Sequence, residues 1–83
     1  MLQTYQIVYP DGDSQEIERR LSVNELVDLN GNPLELPLPT ARMIVYRVWR
    51  ITTRTERRCE ETSFHLELVT RPELDALAKR GNV

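Results

Sequence analysis

The sequence predicts a small α+β domain built on a strongly bent antiparallel sheet, with its elements in the order β-β-(α)-β-β-α and a C-terminal helix packed on the sheet. Three observations predict it. Residues 42–69 alternate apolar and polar side chains like a long β-hairpin. Pro10, Asp11, Gly12 and Asp13 form a turn between two shorter strand-like runs. Thr70, Pro72 and Glu73 open a second apolar run at helical spacing.

The hairpin is the organising stretch. Its first arm, residues 42–54, is rich in β-branched and aromatic residues and holds no Gly or Pro, which suits a half-buried strand. Ile44, Tyr46 and Val48 alternate, and then Trp49 and Ile51 take over out of phase. Side chains alternate faces along a strand, and the cheapest repair of this phase change is a β-bulge near Val48 and Trp49. In the second arm, residues 59–69, Thr62, Phe64, Leu66 and Leu68 alternate with Glu61, Ser63, His65 and Glu67. A polar loop at 55–58 pairs Arg54 with Cys59 and Tyr46 with Leu66. Both apolar sets then share one face, and Trp49, Phe64 and Leu66 are expected to be buried together.

The first strand spans residues 2–9, with Tyr5, Ile7 and Tyr9 on one face. The second spans 15–21, with Ile17 and Leu21 inward and Arg19 awkwardly beside them. Ser22 and Glu25 fit a capping box for a short helix ending near Asn30 and Gly31. The rival reading is a hairpin around Asn30 and Gly31. Residues 32–40 alternate Pro33, Pro37 and Pro39 with Leu34, Leu36 and Leu38. Proline excludes a helix and a central strand there, so the leucines of an extended segment are expected to pack on the core. In the last helix, Leu74, Leu77 and Ala78 form the apolar stripe. Lys79 and Arg80 suit its final turn, and Gly81 its end. The helix is expected to dock over Met43 and Val45. A bent sheet closed by helices resembles small SH3-like barrels. That resemblance implies a partly open barrel and says nothing of activity.

With 83 residues the chain forms one domain, residues 1–83. A core this small leaves apolar area that association could cover. One Cys excludes an internal disulfide framework. No apolar run approaches the roughly 20 residues of a membrane span. The N-terminus lacks the pattern of a signal peptide. The cytoplasm is the expected compartment.

No catalytic, cofactor or metal site is expected. One His and one Cys cannot supply a zinc tetrad. Cys59 and His65 lie about 20 Å apart along one strand, too far for a nucleophile and base. The acidic pairs sit in turns or on polar faces, with nothing to orient them as acid and base.

Charge is the informative feature. The net charge is −2, but residues 1–41 carry 2 Arg and 7 acids, and residues 42–58 carry 6 Arg and 1 Glu, giving −5 and +5. The candidate interaction surface is Met43, Val45, Arg47, Arg50, Arg54, Arg57 and Arg58. The expected role is a non-catalytic interaction module for a protein partner or a weak homodimer. Binding of nucleic acid, RNA above all, through the Arg-rich hairpin 42–58 is the alternative. It ranks second because Glu61 and Glu67 can pair with the arginines, the chain is acidic overall, and the aromatic residues are expected inward.

Overall fold

The computed structural model describes residues 2–36, 38–40 and 42–79, the last for its backbone. Five strands, β1 (Leu2–Val8), β2 (Ser14–Ile17), β3 (Leu26–Val27), β4 (Tyr46–Glu56) and β5 (Cys59–Leu68), form one sheet in the order β2-β1-β5-β4-β3. The helix α1 (Arg71–Lys79) follows. The sheet curls into a half-barrel, so the α+β class with a partly open barrel holds. It is mixed, not antiparallel throughout, because β1 runs parallel to β5, with Leu2 beside Cys59 and Val8 beside His65.

β4 and β5 make the expected hairpin, and the bulge lies between Val48 and Arg50. The connecting loop is shorter than expected. Arg57 and Arg58 both have positive φ, 42° and 68°, the signature of a two-residue type I′ turn. Glu56 therefore pairs with Cys59, Arg54 with Glu61 and Tyr46 with Leu68. The register is displaced by two residues from the expected one, which leaves every side chain on its face.

Ile44 and Leu68, expected on the inner face, are 53% and 56% exposed, and Trp49 departs as well. It is the extra residue of the bulge and is 51% exposed, not buried with Phe64 and Leu66. The inner core comprises Ile7, Leu21, Val27, Val48, Phe64 and Leu66, with Tyr5, Tyr9, Ile17, Tyr46 and Ile51 packed around them.

The expected helix at 22–30 does not form. Glu25 does reach back to the Ser22 N–H at 2.9 Å, half of a capping box. However, Asn24 takes φ = 71°, which ends the turn after one step. Leu26 and Val27 then pair with Arg47 and Tyr46 as β3. The rival hairpin is nearer the truth: Val27 bridges Pro33, and the Asp28 carboxylate accepts the N–H groups of Asn30 (2.8 Å) and Asn32 (3.0 Å). Since β2 stops at Ile17, Arg19 escapes the core and pairs with Glu25 at 2.8 Å.

Gly31, at φ = 83°, lies against the core. An added Cβ would stand 3.2 Å from Ile7 Cδ1 and 3.3 Å from Ile17 Cγ2. Gly31→Ala is therefore expected to destabilise by about 1–2 kcal/mol, chiefly through the left-handed backbone. Chemical denaturation would read this as a lower midpoint with an unchanged slope.

A second apolar cluster lies at the far end of the outer sheet face. Val45, Val69, Leu38 and Leu74 are buried there, with Leu26, Leu34, Met43, Leu77 and Ala78 around them. The helix covers Met43 and Val45 as expected. Leu34 and Leu38 of the proline-rich segment join it, while Leu36 stays exposed. The Leu38 N–H donates to the Leu77 carbonyl at 3.3 Å, tying segment to helix. Pro37, the last-turn charges of Lys79 and Arg80, and the stop at Gly81 lie outside the described residues. Among the described residues no helix is long and apolar enough to cross a membrane.

Candidate functional site

The arginines divide into two groups. Arg47 ion-pairs with Glu67 at 3.2 Å and with Glu73, clamping α1 to the hairpin. Arg54 pairs with Glu56 at 3.0 Å in an exposed position, a contact worth little on its own. Arg50, Arg57 and Arg58 make no ion pair among the described residues. Val45 is 0% exposed beneath the helix and Met43 is half-buried, so Val45 cannot belong to an interaction surface. Of the surface expected at Met43, Val45, Arg47, Arg50, Arg54, Arg57 and Arg58, Val45 is buried, Met43 and Arg47 are partly covered, and Arg50, Arg54, Arg57 and Arg58 stay exposed.

Next to Arg50 the structure supplies what the sequence reading placed inside. His65 is opposite Arg50 across the ladder, so both face outward. The Trp49 ring meets the His65 ring edge-on, with centroids 6.3 Å apart. His65 Nε2 and Thr52 Oγ1 are hydrogen-bonded at 2.9 Å. Gln6 donates to Ser63 at 2.9 Å and to Glu61 at 3.3 Å on the same face. A Thr hydroxyl beside an imidazole has nucleophile–base spacing, yet among the described residues no bond orients the second ring nitrogen. Cys59 remains distant from His65 on β5, as expected. No group of three or more His, Cys, Asp and Glu among the described residues could hold a metal ion.

The edge of β4 is open along most of its length. β3 pairs only with Tyr46 and Arg47, and Val48 bonds to the loop before it through Asn24 (2.7 Å) and Glu25 (3.0 Å). Beyond the bulge, residues 50–56 have no strand on that side among the described residues. Trp49 stands where the open edge begins.

A groove of ≈ 530 Å³ opens at the other end of the sheet. Tyr9, Tyr46, Leu29 and Leu68 line it together with the exposed Asp11 and Asp13. The tyrosine rings meet edge-on with centroids 5.5 Å apart. The Tyr9 hydroxyl donates to the Leu29 carbonyl at 2.6 Å, which fixes one wall. Burial, with smaller contributions from Tyr46, Asp28 and Asp11, holds the Tyr9 phenol above its ordinary pKa, so it stays a neutral donor. The sequence reading missed this groove. Its only local signal is the pair of acids in the turn after Tyr9; the loop carrying Leu29 meets them only through the fold.

Among the described residues, a curled five-strand sheet with one helix, an exposed aromatic and an open edge defines a small α+β domain of the partly open barrel type. The chain matches the family model described as "Uncharacterised Treponema protein" over residues 1–77, and it belongs to that family. No curated protein and no solved structure matches it.

Proposed function

We propose that the chain is a non-catalytic interaction module that binds a protein partner along the open edge of β4. Trp49 is its anchor, and Arg50 gives it a preference for acidic segments. The observation that carries the reading is the exposure of Trp49, 51%, beside an unpaired strand edge. An exposed edge offers backbone donors and acceptors to an incoming extended segment. Trp and Arg are the side chains that most often dominate binding energy. The single Cys59 is compatible with a reducing cytoplasm, the compartment we propose.

RNA binding through the same hairpin is the second reading. Trp49 beside Arg50 favours it, since an outward aromatic on a basic face can stack on a base. The acidic balance of the whole chain, −2, argues for the protein partner. One experiment separates the two. Material captured from native lysate by the wild-type chain is compared with that captured by Trp49→Ser and Arg50→Glu, with and without nuclease. We expect a captured protein that survives nuclease and is lost in both variants, whose melting temperatures stay unchanged. Capture indifferent to both substitutions would refute the site, and capture abolished by nuclease would establish the RNA reading.

A further inference from the structure

We infer that the acidic aromatic groove receives the hairpin tip of a second copy of this chain, Arg57 and Arg58, in a head-to-tail contact. This goes beyond the partner binding proposed above and uses different surfaces.

The groove has walls of one chemistry and a rim of another. Leu29 and Leu68 are 50% and 56% exposed beside the two tyrosines, and the exposed Asp11 and Asp13 line the same groove. A side chain with an apolar stem and a cationic head fits both. An Arg can lay its stem on leucine, stack its guanidinium on a Tyr ring and pair with a carboxylate.

The chain itself carries such a group. Arg57 and Arg58 project at the tip of the β4–β5 hairpin and have no ion pair among the described residues. Their positive φ values, 42° and 68°, belong to a turn that Asn and Gly occupy with less strain. Charge complementarity is built into the sequence, with −5 over residues 1–41 and +5 over residues 42–58.

The contact must be intermolecular. The tip precedes Cys59, the groove ends at Leu68, and the ten residues of β5 separate them by about 30 Å. Each copy then presents a donor at one end and an acceptor at the other. Such a heterologous contact propagates into open chains or closes into a ring. With only a turn inserted, the buried area is small and the affinity weak. Its dependence on charge makes it sensitive to salt.

The test is sedimentation across a concentration series at low and high salt. For the wild type we expect a mass that rises with concentration and falls back at high salt. The tip variant Arg57→Glu with Arg58→Glu should weaken association by about tenfold or more. So should the rim variant Asp11→Asn with Asp13→Lys, in which Asn keeps the side-chain acceptor that holds the turn. An equimolar mixture of the two variants should regain association, since the unaltered arginine tip of the rim variant meets the unaltered acidic rim of the tip variant. Arg57→Asn with Arg58→Gly guards against misfolding: it should raise the melting temperature through a better turn and still lose association. Trp49→Ser should leave association unchanged, which keeps this contact distinct from the β4 edge. A strict monomer at every concentration, association indifferent to either charge variant, or failure of the mixture to recover would overturn the inference.

Discussion

Phe64→Ala is expected to unfold the domain. Phe64 is 0% exposed and is among the largest fully buried side chains of the described core. It lies opposite Ile51 on β4 and beside Ile7 on β1, with its ring centroid 6.1 Å from that of Tyr5. It therefore joins the antiparallel and the parallel halves of the sheet. Removing a buried Phe ring costs about 3–5 kcal/mol. Small domains hold only about 5–15 kcal/mol in all, and a chain this short belongs near the lower end. Loss of the cooperative thermal transition at ordinary temperature is the expected result. Trp49→Ser is the contrast, because the larger ring stands half in water on the opposite face. A Phe64→Ala variant that melts like the wild type would contradict the packing described here.

That contrast marks where local pattern stops being informative. The phase change after Val48 says that one residue must be accommodated, and a bulge accommodates it. It does not say which residue is displaced: hydrophobicity alone puts Trp49 in the core, whereas the bulge turns it outward. The register erred by two for a related reason. Arg57 and Arg58 carry none of the Asn-Gly signature of a type I′ turn, so a longer polar loop was the natural reading. Since a shift of two preserves the pleat, Thr62, Phe64 and Leu66 still faced inward as expected.

Other features depend on contacts remote in sequence. Nothing in residues 2–8 announces parallel pairing with a strand more than fifty residues later, as between Ile7 and Phe64. At Ser22 and Glu25 the capping signal was real, but Asn24 tolerates a left-handed backbone and tertiary pairing with β4 prevailed. The candidate site followed the same division. The concentration of Arg on one hairpin was visible at once. Which arginines remain available was not, because the partners of Arg47 come from β5 and from α1.

Val45→Glu is expected to unfold or undock the helical end of the molecule, not to probe a surface. Val45 is 0% exposed and packs with Leu38, Val69 and Leu74. Its carbonyl accepts the Val69 N–H at 2.9 Å, so the backbone there cannot easily swing outward. A carboxylate at this position must remain ionised among apolar side chains, take up a proton or drag the strand into water. Each course costs several kcal/mol. The proton route predicts a sign. The buried carboxyl would have a raised folded-state pKa, so the loss should be smallest in acid and grow as pH rises through that value. Val45→Ala leaves only a cavity and should cost less. Circular dichroism can follow α1 in both variants across pH. A Val45→Glu chain with wild-type helix content and melting temperature at neutral pH would mean that α1 does not cover this face in solution, and Val45 would return to the exposed surface beside Arg50.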